Sequence, residues 1–203
     1  MFKSGSLILG SNTELHIESG AVLKGSDDIN DYARFADLDT RRDVPSYVNC
    51  EYAGKPANYF LFAAGAENLR ITGFGTIDGS EEIYYGEETP YFIDGAWYPR
   101  TPLLFLENIK HLTVKDVTLT RSGFWTLHMV GCTDVLVDGI RILNNLRLAN
   151  CDGIDPDHCK DVRITNCHIE CADDCIVLKT SGAYKAYGPT ENILIRGCTL
   201  TST

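Results

Sequence analysis

The sequence predicts an all-β chain wound as a parallel β-helix. Three observations carry that reading: a strand, bend, strand phrase recurs along the chain; it recurs at the interval of a solenoid coil; and no long stretch places apolar residues at i, i+3, i+4 and i+7. The phrase is plainest at 111–119, 134–142, 161–169 and 192–200, with an earlier copy at 68–74 that runs into Gly75, Thr76, Ile77, Asp78 and Gly79. Each copy alternates apolar and polar residues, bends at a Gly, Asp or Asn, and alternates again. Starts at 111, 134, 161 and 192 give intervals of about 23, 27 and 31 residues, and the Leu-rich signature of a leucine-rich-repeat horseshoe is absent.

Stacking the copies assigns their side chains. Leu69, Leu112, Val135, Val162 and Ile193 should form one internal ladder, and Ile71, Val114, Val137, Ile164 and Ile195 a second. A third is expected from Phe74, Val117, Ile140, Cys167 and Cys198, which makes those two cysteines core packing. Asn68, Asp134, Asp161 and Asn192 stand at the start of their strands, where short polar side chains stabilise turns. Two stretches break the rhythm and are expected to be inserted loops in a single partial β-helix domain over 1–203: one at about 27–56, and one at about 79–102 that is rich in Tyr, Trp and acids.

Composition narrows the function classes. The net charge of −10 argues against nucleic-acid binding, which needs a basic footprint, and means that an acidic substrate would have to be captured by local cations. No apolar run approaches the roughly 18 residues of a membrane span, and the first residues lack the apolar core of a signal peptide, so no membrane partner is expected. The eight cysteines read as buried free thiols, because their spacing, including Cys167, Cys171 and Cys175, forms no paired C-x-x-C knuckle.

Asn150, Cys151, Asp152 and Gly153 in one segment and Asp173, Asp174 and Cys175 in the next carry the chemistry. Alignment of the turns before each copy puts residues 125–128 on 152–155 and these on 174–177, so Asp152 and Asp174 should lie on adjacent coils about 4.8 Å apart at the backbone, with Asp173 beside them. A lone Asp at such a place caps a turn. Three together repel one another, a cost usually met where carboxyls do acid–base work or bind a cation, and calcium is the competing reading. Crowding raises the affinity of some of these carboxyls for a proton, and a pair split into one protonated and one ionised member can act as acid and base. Ile154 should point inward, and His128, Asp155 and Val177 outward on the same sheet. Asn150, Lys179, His128 and Asp155 are the candidate substrate-binding residues, with Lys179 placed to meet an acidic group of a substrate. His158 reads as structural, and Arg147 and Lys185 as weaker candidates.

These residues, with Gly5-Ser6-Leu7, the segment 18–25 and Gly73-Phe74-Gly75-Thr76-Ile77-Asp78-Gly79, resemble glycoside hydrolase family 28, the polygalacturonases and related pectin hydrolases. The tripeptides are weak singly; their order and spacing over nearly the whole chain are specific. The resemblance implies a right-handed, single-stranded parallel β-helix of the pectin lyase-like kind, no cofactor or metal, a pectic polysaccharide or oligogalacturonide as partner, and hydrolysis with inversion. It implies that Asp173 is the general acid, with Asp152 and Asp174 sharing the activation of water. Pectin degradation implies a secreted or periplasmic full-length protein.

Two departures qualify it. Cys151 stands where the family has Thr, a change of similar volume with little mechanistic effect expected. The family's Gly-His-Gly and Arg-x-Lys motifs find no match before Thr203, and the family has a strand and helix region before the segment that resembles Phe2 to Gly25, so the chain is expected to be an incomplete coil. The alternatives are a calcium-dependent pectate lyase of similar architecture and a non-catalytic carbohydrate-binding β-helix or inactive fragment. The adjacent Asp pair, one coil after Asn-x-Asp, favours the hydrolase.

Overall fold

A computed structural model describes residues 1–33, 59–95 and 100–203. The chain winds as a parallel β-helix, each complete coil laying one strand in each of three parallel sheets. The first sheet runs Phe2–Ser4, Val22–Gly25, Thr76–Asp78, Thr118–Thr120, Arg141–Leu143, His168–Cys171 and Thr199–Ser202. The second runs Leu7–Ile8, Leu61–Ala64, Leu104–Glu107, Leu127–Val130 and Ile154–Asp157, and isolated bridges extend it to Ile176 and Lys179. The third runs Thr13–His16, Glu67–Thr72, Lys110–Lys115, Thr133–Asp138, Lys160–Thr165 and Glu191–Arg196.

The corners explain why Gly, Asn and Asp punctuate the sequence. Each coil bends at backbone positions of positive φ, which these residues tolerate better than branched ones. Gly65, Asn108, Gly131 and His158 occupy the corner between the second and third sheets, with φ of 62°, 52°, 60° and 54°. Asn68, His111, Asp134, Asp161 and Asn192 are each the second residue of a third-sheet strand, with φ between 54° and 58°. Their side chains bond from coil to coil: Asn192 Nδ2 donates to Asp161 Oδ1 at 3.1 Å, and His111 Nδ1 meets Asp134 Oδ2 at 2.8 Å. These acids and amides therefore stand at the entry to their strands, as the sequence indicates.

Inside the coil the two aliphatic ladders stack in the expected register, Leu112 between Leu69 and Val135 and Val114 between Ile71 and Val137. Most of their members are inaccessible to solvent, each contributing roughly 1.5–3 kcal/mol of apolar burial. The third ladder needs a correction, because Phe74 is 72% exposed. Lys115 pairs with Thr72 and Thr118 with Thr76, so this corner holds one residue more than the next one. The extra residue moves Gly75 into the register of Val117 and turns Phe74 outward. A side chain at Gly75 would collide with Ile17, its Cβ 2.2 Å from Ile17 Cγ2.

Cys132, Cys151, Cys159, Cys167, Cys171 and Cys175 are buried free thiols. Burial pushes the Cys167 and Cys171 thiols up to about 12. Most of the loop expected at 27–56 lies outside the described residues; its start forms the short 3-10 turn Ile29–Asp31. The loop expected at 79–102 contains a 3-10 turn, Glu81–Tyr84, and an antiparallel ribbon of Tyr85–Glu88 with Ile93–Gly95, while 96–99 lie outside the described residues. The ribbon docks on the segment leading to Asn150: Ile93 N bonds Arg147 O at 2.8 Å, and Arg147 Nη2 reaches Glu88 Oε1 at 2.6 Å. Arg147 thus fastens the ribbon to the coil.

Candidate active site

The acids gather where the chain enters the second sheet. Thr126 N bonds Asp152 O at 2.9 Å and Gly153 N bonds Asp174 O at 2.9 Å, so residues 125, 152 and 174 follow one another on successive coils. Gly153 is required there, since a Cβ would stand 2.4 Å from the Cys175 carbonyl oxygen. The Asn150–Gly153 segment is pinned from below. Cys151 Sγ donates to Ser122 O at 3.0 Å, and Asn144 Nδ2 bridges Thr126 Oγ1 at 2.6 Å and Cys151 O at 3.4 Å.

Carboxylate oxygens of Asp152, Asp173 and Asp174 all lie within 4.8 Å of one another. Their surroundings differ. Asp152 is 3% exposed, Asp173 is half-buried and Asp174 is exposed. Asp173 is oriented from both sides: Asp174 N donates to its Oδ1 at 2.9 Å, and Asn150 Nδ2 approaches its Oδ2 at 3.4 Å. Asn150, expected to meet substrate, is itself held by Arg100, whose Nη2 donates to Asn150 Oδ1 at 3.0 Å while Nη1 donates to Ala149 O at 2.6 Å. A guanidinium can only donate, so it turns the amide oxygen of Asn150 toward itself and the amide NH2 toward Asp173.

Lys179 stands beside Asp152. Its Nζ lies 3.3 Å from Asp152 Oδ2 and 3.2 Å from Asp155 Oδ1, with the Trp125 ring 4.1 Å away on another side. The structure thus engages the Lys179 charge with two buried carboxyls and an aromatic face, where the sequence suggested a cation turned to an acidic sugar. The cluster's demand for counter-charge is met in part by this ammonium, supplied by the protein itself.

His128 and Asp155 share a register on the outer side of the second sheet with Phe62 and Phe105, as the sequence indicates, but both are fully buried. The Phe105, Trp125 and Tyr184 rings pack around His128 with centroids at 5.1, 4.8 and 6.0 Å. Both were expected to point outward to substrate, and in this conformation neither is exposed to solvent. Burial holds the His128 imidazole below its ordinary value despite Asp157, whose Oδ2 lies 3.4 Å from His128 Nε2. Asp157 is held below the usual carboxylate range against the cost of its burial, by His128 and by the Ser181 N–H at 2.9 Å. His158 bonds the carbonyls of Gly188 and Ser181 and ties the 182–187 turn to the coil. Lys185 lies in that turn.

The elevated proton affinity falls on Asp152 and Asp155. Burial, opposed by Lys179 and reinforced by the Asp173 charge, raises Asp152 to about 6. Burial first, and then the Asp152 charge, drives Asp155 well above the ordinary value. The sequence cast Asp152 as a flanking carboxylate that stays ionised beside a protonated neighbour. The structure raises its affinity for a proton instead, because desolvation, with the Asp173 charge added to it, outweighs the opposing pull of Lys179. Arg100 and Trp125 escaped the sequence reading. Nothing in the strand period marks Arg100, which sits in the loop at 79–102, and Trp125 was aligned with Asp152 without being given a role.

Comparison with known proteins follows the same lines. The family model described as Glycosyl hydrolases family 28 matches residues 45–202. A probable polygalacturonase of Vitis vinifera is 33% identical over 205 residues, covering 98% of this chain and 40% of that protein. An endo-polygalacturonase of Pectobacterium carotovorum subsp. carotovorum is 27% identical over 209 residues, covering 96% of this chain and 48% of that protein. The chain therefore spans less than half the length of these two relatives. Among solved structures, the hyperthermoactive exopolygalacturonase of Thermotoga maritima superposes with a TM-score of 0.77 at 24% identity, covering 98% of this chain and 50% of that one. The polygalacturonase of Erwinia carotovora ssp. carotovora gives 0.75 at 22% identity, covering 97% and 52%. At these identities the two structures speak to the fold, which they share as parallel β-helices.

Proposed function

The chain belongs to glycosyl hydrolases family 28, and from that premise we propose that it carries the acid–base centre of a hydrolase acting on galacturonic-acid-containing pectic chains. The observation that supports this most is the grouping of Asp152, Asp173 and Asp174 within 4.8 Å, on two successive coils and in three different degrees of burial. Unequal environments are what let neighbouring carboxyls take different protonation states and divide acid from base work.

In the proposed mechanism Asp173, turned by Asn150 and the Asp174 amide, gives its proton to the leaving glycosidic oxygen. Asp152 and Asp174 polarise a water and take its proton as the oxygen attacks the anomeric carbon from the opposite side. An inverting enzyme with one acid and one base separates them by about 6.5–9.5 Å to admit that water, a wider gap than this cluster shows. Inversion here therefore rests on the water being held by the Asp152 and Asp174 pair, to one side of Asp173.

The test is direct. Incubation with polygalacturonate should release new reducing ends with no unsaturated, ultraviolet-absorbing product and no loss on addition of a chelator. Ultraviolet absorbance that disappears with chelator would replace the hydrolase by a lyase. Asp173→Asn should abolish release, and unchanged release would sink the assignment. NMR of the first-formed product settles stereochemistry: a new end of the same anomeric configuration as the cleaved bond would overturn inversion.

A further inference from the structure

Beneath Asp152 lies a buried charge arrangement that the three-acid scheme does not use. Asp152 and Asp155, three residues apart, are 3% and 0% exposed, and Lys179 comes to both at 3.3 and 3.2 Å. Both oxygens of Asp155 and Oδ1 of Asp152 are buried without a hydrogen bond of proper geometry. An ionised carboxyl in that condition is severely penalised, so one of the two must carry a proton. Charge balance gives the same count. One ammonium neutralises one carboxylate, and the other acid is neutral.

Which acid keeps the proton follows from position. Asp155 is the more deeply buried, whereas Asp152 lies beside Asp173 at the half-buried edge of the cluster and makes the geometrically sound hydrogen bond to Lys179. We propose that Lys179 and Asp155 are positioning residues, which together hold Asp152 as the ionised member of the buried pair and orient it toward the attacking water. Protonated Asp155 removes a repulsive charge from behind Asp152 and leaves the Lys179 ammonium to stabilise the Asp152 anion. The Trp125 ring fixes the ammonium on a further side through cation–π attraction. The charged and titratable groups around this arrangement, among the described residues, are these. Asp152 faces Lys179, Asp155, Asp173 and Asp174; Asp155 faces Asp152 and Lys179; and beyond them along the sheet stand Asp157 and His128, the latter kept neutral by burial. Both acids are raised from the ordinary carboxylate value, burial being the first cause for each, with Lys179 opposing it.

This inference rests on the proposed acid–base role of Asp152, so its test has an arm that needs no turnover. Carbonyl-13C labelling of the aspartates, with Asp152 and Asp155 assigned from their Asn variants, follows each carboxyl by NMR as pH is raised. Asp152 should lose its proton first, near pH 6, and Asp155 later. The reverse order overturns the proposal. In Lys179→Met the Asp152 midpoint should rise by about one pH unit or more, as expected on losing an opposite charge at hydrogen-bond distance. A midpoint that stays in place, in a variant whose circular dichroism matches the parent, overturns it too. Should Lys179→Met fail to fold, Asp155→Asn decides instead. It cannot ionise, so the later step should vanish and the Asp152 midpoint should stay or fall; a rise overturns the proposal. If the protein hydrolyses pectic chains, the acid limb of kcat/KM should move with the Asp152 midpoint in Lys179→Met and return toward the parent in Lys179→Arg. A KM increase with kcat and the acid limb unchanged would assign Lys179 to substrate binding and overturn the positioning role. A protein without turnover would defeat the functional reading alone and leave the NMR outcome standing.

Discussion

Replacing Asp152 with Asn should remove activity and stabilise the fold at neutral to alkaline pH. Asp152 is raised from 3.8 to about 6 in the folded chain, with burial as the leading cause. A carboxyl whose folded value exceeds its unfolded one favours the folded state while both forms are protonated. That contribution is lost as pH climbs through the folded value. Between the ordinary value and about 6 lie roughly two pH units, worth about 3 kcal/mol at most above pH 7. Lys179 loses a hydrogen-bond partner in the variant, which lowers the expected net gain to about 1–2 kcal/mol. For a chain of this size that is a rise in Tm of about 2–8 °C. Thermal unfolding of parent and Asp152→Asn at about pH 8 and about pH 3.5 is the assay, with the gain expected at the higher pH and absent at the lower. A variant less stable than the parent at the higher pH, or a gain equal at both, would refute the claim that desolvation of the Asp152 anion dominates its energetics.

Other outcomes follow from the same geometry. Arg100→Lys keeps the charge but loses the fork that binds Ala149 O and Asn150 Oδ1, so Asn150 should be free to turn; kcat should fall by about ten- to a hundredfold with a smaller change in KM, measured by steady-state reducing-end assays. Gly153→Ala drives a methyl toward the Cys175 carbonyl and should cost about 1–3 kcal/mol in urea unfolding while lowering activity, because the shift falls between Asp152 and Asp174. Cys132, Cys151 and Cys159 are fully buried, with Cys132 and Cys151 raised well above the ordinary thiol, so a thiol reagent at neutral pH should leave all three unlabelled until the chain is unfolded, as peptide mapping can check.

The coil was legible because its physics is written locally. Alternation fixes which side chains face inward, and left-handed positions favour Gly, Asn or Asp, so ladders such as Leu69, Leu112 and Val135 follow from spacing alone. That method fails where one corner gains a residue, as at Phe74, since a single insertion reverses which side chain enters the core while leaving the phrase recognisable. The site shows a deeper limit. Alternation correctly put His128 and Asp155 on the outer side of the second sheet, yet outer does not mean wet: Tyr184, from a turn more than fifty residues beyond His128, packs against its ring. Burial of that kind decides protonation. It raises the proton affinity of Asp152 and Asp155, which crowding alone did not single out, and it turns Lys179 inward to serve that pair. In a β-helix, then, sequence period locates the acids, but what lies over the sheet determines which of them is charged.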